Sequence, residues 1–423
     1  MGIFNLLTLK IMSTKLFLFV QIIFLMLSSC EKGAGESVNS GEVVWSVKNV
    51  NVLTVSTQPL IDQGRVFFEQ DGYLKAYRLK EGTRLWQQQI TTRKQLSYSR
   101  QFSHSKEAIY IYSGFEIRSY AKDSGSLLWT TFVTDDGSEV SGIGAPIMAQ
   151  DELYLYASKR GELLQVQKSS GTIVQRIALD TLVAPGVVQG STNPIAPANS
   201  TYLYVPTGYY DEQVNPPKLG GNVIAYDRTN WEIAWAKEAR FTIPLDESQN
   251  NPDPDSASAV IPVQDISITS KYVIGLAGKV VFAYDRDTGE QIWYKQIRDE
   301  GWNFERFDGF DVGLATTEDA VYAVSLGGFA YRLDIESGEV LWSTPIGSSH
   351  TSIPTVENGM LYFSNFGNGD LWVLDTDTGN VIFNAYPPGY QADDFDVYIS
   401  SLGVGEGYMV NVGARAVYCL KAF

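Results

Sequence analysis

Eight times along the chain an aromatic position follows a polar turn at one fixed spacing, and this repeat constrains the fold more than any other feature. Aligned on a glycine and the residue four places later, AYRLKEGTRLW ends at Trp86, SYAKDSGSLLW at Trp129, AYDRDTGEQIW at Trp293 and RLDIESGEVLW at Trp342. VLDTDTGNVIF puts Phe383 in the same place. Two copies are worn: QVQKSSGTIVQ carries Gln175 at the aromatic position, and AYDRTNWEIAW keeps Trp235 but has Trp231 for the glycine. The eighth copy is split. Gly41-Glu42-Val43-Val44-Trp45 holds its back half, and Arg415-Ala416-Val417-Tyr418-Cys419-Leu420-Lys421 stops at the other end of the chain, just where its glycine is due.

The aromatic positions are separated by 41, 43, 46, 60, 58, 49 and 41 residues, with 40 left to the C-terminus. Units of this length, each with several short strands, are the size of propeller blades. The reading is an all-β chain forming an eight-bladed β-propeller over residues 41–423, with Trp45 in the blade begun by residues 396–423. The N-terminal strand then joins the C-terminal blade and closes the ring, which hides edges that a linear array would expose.

Within one repeat, alternation in Val280-Val281-Phe282-Ala283-Tyr284 marks a strand. Asp285 to Gly289 is a turn with an Asp cap and a glycine at positive φ, and Gln291-Ile292-Trp293 begins the outer strand. Trp45, Trp86, Trp129, Trp235, Trp293, Trp342 and Phe383 are the expected blade-docking aromatics, each filling the wedge between neighbouring sheets. Asp285 with Asp287 resembles a calcium loop, but such a loop needs more ligands downstream than Glu290 alone, which favours a capped hairpin.

Before the repeats, Lys10 and Lys15 precede an apolar run, Leu16 to Leu27, too short for a comfortable bilayer span. Leu27-Ser28-Ser29-Cys30 resembles the lipobox of bacterial lipoproteins. This implies a signal peptide over 1–29, lipidation at Cys30, a polar tether over 30–40 and anchoring to the membrane through several acyl chains. Glu31 stands where an Asp would resemble an inner-membrane retention signal, which points to the outer membrane, facing the periplasm. The formal charge is −16 with a pI near 4.6, which argues against a nucleic-acid partner. Cys419 is the only other cysteine, so no disulfide framework can form, and its alignment with Ala76, Ala225 and Ala283 marks a small buried strand residue.

The pattern Ala/Ser-Tyr/Leu-Asp-x-x-x-Gly-x-x-x-Trp resembles the tryptophan-docking repeat of the PQQ-like propeller superfamily over essentially all of 41–423. Within it, a bare propeller behind a lipobox looks most like the BamB-type lipoproteins of the outer-membrane β-barrel assembly machinery. That resemblance implies a monomeric, non-enzymatic scaffold that needs no cofactor and has a protein partner in the cell envelope. The family's Arg-Gly-x-x-x-Pro docking loop aligns on Gln189, Gly190 and Pro194, with Gln189 in place of the Arg. A second, acidic family loop aligns on Ala257 to Pro262, where the acids are absent although Asp253 and Asp255 lie nearby.

The superfamily's quinone-dependent dehydrogenases carry adjacent cysteines, a calcium site and an Asp base; no adjacent cysteine pair occurs here. His104 and His350 are the only histidines, which excludes His-rich metal sites, and no GxSxG, HExxH or CxxCH occurs. No catalytic, cofactor-binding or metal-binding residue is therefore assigned. Two polar, Pro-bearing segments read as insertions between strands: Tyr209, Tyr210 and the residues to Lys218, and Leu245 to Asp255 with Asp246, Glu247, Asp253 and Asp255. They are the candidate partner-binding loops, because recognition usually sits on loops of a rigid scaffold. Their Tyr and Asn content also suits a glycan-binding envelope lipoprotein.

Overall fold

The computed structural model describes residues 42–48, 58–70, 72–90, 102–112, 116–133, 147–149, 152–157, 162–178, 200–211, 218–242, 258–260, 263, 265–278, 280–297, 313–325, 328–347, 351–365, 368–390, 397–398 and 400–423. The chain divides into Met1–Asn39, wholly outside the described residues, and Ser40–Phe423.

The second unit is an eight-bladed β-propeller. Antiparallel four-stranded sheets form blade 1 (60–89), blade 2 (103–132), blade 3 (147–178), blade 5 (265–296), blade 6 (314–345) and blade 7 (355–385). Blade 4 (202–238) has three described strands; a fourth would fall within 179–199, outside the described residues. Blade 8 combines three strands of 403–421 with Val43–Lys48. The first strands of successive blades approach one another at the centre. The last strands lie outermost, and their alternate residues are exposed.

Ring closure is carried by several contacts. Val43–Lys48 runs antiparallel to Ala416–Lys421 with Trp45 opposite Cys419, the register that sets Ala76 opposite Trp86 and Ala283 opposite Trp293. The Glu406 carboxylate accepts the Gly64 N–H of blade 1 (2.9 Å), and Gln58 donates to the Leu402 carbonyl (2.6 Å).

Eight hydrophobic clusters occupy the eight blade interfaces. A blade buries both faces, so its middle strands read as near-continuous apolar runs: Val280–Asp285 is buried at every position but the last. Each buried Val, Leu, Ile or Phe contributes roughly 1.5–3 kcal/mol relative to exposure, and the sum falls mostly between neighbouring blades.

The repeat motif is the joint between blades. Each indole N–H donates to a turn carbonyl of the next blade: Trp45 to Leu79 (2.7 Å), Trp86 to Lys122 (2.9 Å), Trp129 to Lys168 (3.1 Å), Trp235 to Arg286 (3.1 Å), Trp293 to Ile335 (2.9 Å) and Trp342 to Thr376 (2.9 Å). Its ring lies flat on the glycine three residues after that carbonyl. A Cβ at Gly289, where φ is +69°, would sit 2.6 Å from the Trp235 ring. Glycine is thus required there by the backbone and by the indole alike. Phe383 has no N–H to give, and instead contacts the Phe423 ring (5.2 Å between centroids).

The Asp residues are turn caps. Asp285 Oδ1 accepts from Asp287 N (3.1 Å), Thr288 N (2.8 Å) and Thr288 Oγ1 (2.8 Å), and Asp334 and Asp375 do the same in their turns. These hydrogen bonds hold all three carboxyls below the usual range, chiefly through the hydroxyl of Thr288, Ser337 and Thr378.

Candidate functional site

In an antiparallel meander the capped turns share one face of the ring, and the loops between second and third strands share the other with the connections between blades. We call these the turn face and the loop face. Among the described residues, the loop face departs most from the common blade pattern at blade 4.

The hairpin Tyr202–Asp211 with Lys218–Asp227 has ten-residue strands, where the second and third strands of the other blades have five or six. Its ladder is unbroken from Tyr202 opposite Asp227 to Asp211 opposite Lys218. At about 3.3 Å per residue, the four extra pairs carry it roughly 13 Å past the blade. Tyr209 and Tyr210 lie in this extension, opposite Gly220 and Leu219. This corrects the reading of that segment as an insertion between strands: Tyr209, Tyr210, Asp211 and Lys218 are strand residues, and only 212–217 separates the strands. Tyrosine is among the residues that favour extended backbone, in keeping with the continued pairing.

A second ribbon rises beside it, Arg240–Thr242 paired with Ser258–Val260. Its root is fixed. Phe241 is buried against Phe282 (5.2 Å) and Tyr294 (5.3 Å) of blade 5, Ala239 N donates to Gly221 O (2.8 Å), and Val263 N donates to Thr207 O (3.3 Å). The two ribbons are therefore stitched together at their bases. Asp246, Glu247, Asp253 and Asp255 belong to the span between the ribbon strands and lie outside the described residues, as do Gln189, Gly190, Pro194 and Cys30. The 245–255 segment contains those four acids and no Lys or Arg.

Among the described residues, Cys419 and His104 are engaged in structure. Burial pushes the Cys419 thiol up to about 12, which leaves it a poor nucleophile. His104 Nδ1 is 2.9 Å from Lys122 Nζ, which is buried and pairs with Asp62 (2.7 Å); burial first and the Lys122 charge second hold the imidazole below its ordinary pKa. His350 lies outside the described residues, and among the described residues no three His, Cys, Asp or Glu side chains group as metal ligands.

Sequence reasoning did not isolate the His104, Lys122 and Asp62 group, because its members come from two blades with no shared spacing. Nor did it connect Gln175 with Trp231. Since each aromatic docks on the following blade, Gln175 of blade 3 and Trp231 of blade 4 occupy the two halves of a single joint. Trp231 packs into the cluster that holds Leu163 and Ile177 of blade 3, so the missing indole is supplied from the opposite side.

Eight sheets in a ring, six of their joints made by an indole docked on the next blade's turn, define the tryptophan-docking class of β-propeller. The chain belongs to the family described as outer membrane protein assembly factor BamB, which matches residues 36–237 and 277–401. No curated protein sequence matches it. Among solved structures, BamB from Moraxella catarrhalis superposes with a TM-score of 0.64 at 14% identity, covering 90% of this chain and 100% of that one. Quinohemoprotein alcohol dehydrogenase from Comamonas testosteroni gives 0.63 at 11% identity, covering 91% and 77%. A europium-containing methanol dehydrogenase gives 0.62 at 13%, covering 88% and 85%. At these identities the likeness is one of fold.

Proposed function

We propose that this protein is a non-enzymatic, lipid-anchored scaffold of the outer membrane that faces the periplasm and takes part in assembling outer-membrane β-barrel proteins. Family membership carries the reading. In it, residues 1–29 are a signal peptide, Cys30 bears the lipid, 30–40 is a tether, and 41–423 acts as a monomeric propeller without cofactor. The partner docks on the blade 4 hairpin and the adjoining acidic span. Gln189, in place of the Arg expected from the family, implies an altered contact at the 189–194 loop.

Affinity purification of the intact protein from crosslinked cells tests this. Barrel-assembly components should be recovered, and recovery should fall when Asp246, Glu247, Asp253 and Asp255 are all changed to Asn or Gln. Recovery of polysaccharide-processing proteins alone would favour a glycan-binding lipoprotein. The shared fold with quinohemoprotein alcohol dehydrogenase supports a second reading, a quinone-dependent oxidoreductase. Under that reading, PQQ with calcium should raise the melting temperature and confer dye-linked alcohol oxidation.

A further inference from the structure

At the loop face, blade 7 carries a row of buried polar side chains turned towards blade 6. Thr351, Asn365 and Asp370 are successive cross-strand partners and are 1%, 0% and 3% exposed. Asn365 alternates in phase with Leu361 and Phe363, and Asp370 with Trp372 and Leu374, all in the cluster between blades 6 and 7. Asn365 Nδ2 donates to the Ile346 carbonyl at the end of blade 6 (3.2 Å), and Asn384 Nδ2 donates to Asp370 Oδ2 (2.8 Å). These two bonds fix which atoms are left over. Asn365 Oδ1 and Asp370 Oδ1 are both buried acceptors that make no hydrogen bond of ordinary geometry, as are the neighbouring Thr351 hydroxyl and the Trp372 indole N–H, the latter close enough to oppose the rise in the carboxyl's pKa. An amide oxygen cannot become a donor under ordinary conditions, whereas a carboxylate can by taking up a proton.

We propose that Asp370 is a proton-operated latch between blades 6 and 7. Protonated on Oδ1, it donates to Asn365 Oδ1 and completes a relay from Asn384 through Asp370 and Asn365 to Ile346 of blade 6. Ionised, it cannot donate to Asn365 Oδ1, and the relay is broken between these two paired residues. The groups bordering the carboxyl are Trp372 on its own strand and Asn365 and Asn384 on the flanking strands, while the Ile346 carbonyl of blade 6 meets Asn365. Burial raises the carboxyl from 3.8 to about 6, against Asn384, Trp372 and its own backbone, with no charged side chain among the causes. Because the folded-state pKa lies above the unfolded one, the native state holds more protons between about pH 4 and 6. This contribution to stability therefore grows as pH falls through 6 and is lost above it. The full span is about a hundredfold in folding equilibrium constant.

The test uses the purified full chain and Asp370→Asn, which places a permanent donor opposite Asn365. Chemical denaturation at pH 8 should show the variant's folding constant exceeding wild type by tens of fold, and this advantage should shrink about tenfold by pH 5. Any titration of His104, in another joint, cancels in the comparison. A variant no more stable than wild type at pH 8, or a difference that stays constant with pH, overturns the latch and would mean that a bound water already supplies the partner. Stabilisation of wild type at pH 8 by calcium, absent in the variant, would overturn it in favour of a cation. If the variant does not fold, infrared spectra of wild type decide: a protonated-carboxyl band growing in below pH 6 supports the proposal, and its absence refutes it.

Discussion

Trp231 is a non-glycine residue at φ 61° in a turn whose counterparts are glycine, and its N–H still closes the turn onto the Asp227 carbonyl (2.8 Å). The left-handed conformation costs an L-residue roughly 1–2 kcal/mol, which the indole offsets by filling the joint that Gln175 leaves open. Each half explains the other. Trp231→Gly alone should cost about 1–4 kcal/mol, since losing the half-buried indole outweighs the relief of its left-handed strain. Gln175→Trp alone should also destabilise, because two indoles compete for one space. The double variant restores the ordinary motif and should lie within about 1 kcal/mol of wild type, a coupling that a double-mutant cycle in urea would measure. Glycine substitutions separate strain from contact in the same way. Gly407→Ala meets open space at φ +79° and should cost about 1 kcal/mol, whereas Gly289→Ala adds the clash with Trp235 and should cost several times more by the same unfolding assay.

At the scale of elements, blades are joined by docked indoles, apolar clusters and polar staples on the turn face. Arg332 of blade 6 reaches Asp377 of blade 7 (3.1 Å), and Arg65 of blade 1 reaches Asp123 of blade 2 (2.6 Å); with the acids largely exposed, each pair is worth at most about 1 kcal/mol. Lys122 differs, because it is buried with Asp62 and a neutral His104. The depressed imidazole pKa means that the unfolded chain binds more protons than the native one. This joint is thus fully stabilising above about pH 6.5 and weakens as pH falls through the folded-state value. His104→Asn keeps an acceptor for Lys122 and removes the titration, so its melting temperature should fall less than that of wild type between pH 7 and pH 5. Lys122→Met should cost about 1–3 kcal/mol at neutral pH, since it leaves the half-buried Asp62 carboxylate without its cation.

The blades themselves were legible in sequence because strand alternation, Asp cap, turn glycine and indole recur in fixed order, and the split eighth copy revealed the closing strand. Long strands in blade 4 were not. Tyr209 to Lys218 carries polar and proline residues that mimic a loop, and only the partner strand shows that pairing continues. Asn365 and Asp370 gave no signal either, because isolated polar residues at strand ends have no period. Gln175 and Trp231 were visible as defects, but their complementarity appears only when each aromatic is matched to the following repeat.

For the whole molecule, a closed ring has no free end, so stability depends on every joint at once. Truncation after residue 395 removes the other three strands of blade 8, including Ala416–Lys421, which pairs with Val43–Lys48, and so unsettles the joint where Trp45 meets Gly82. Calorimetry should show the single cooperative transition replaced by a broad one at lower temperature. The closed ring also separates two faces: a turn face of short, capped hairpins, and a loop face where the blade 4 hairpin and the ribbon beside it rise from a shared base. Partner recognition on the loop face is the central functional claim. Photo-crosslinking from single sites in living cells tests it most directly, with a photoreactive residue at Tyr210 on the loop face or at Asp287 on the turn face. Adducts with barrel-assembly proteins should form from Tyr210 and not from Asp287, whereas adducts from Asp287 alone, or equally from both, would contradict it.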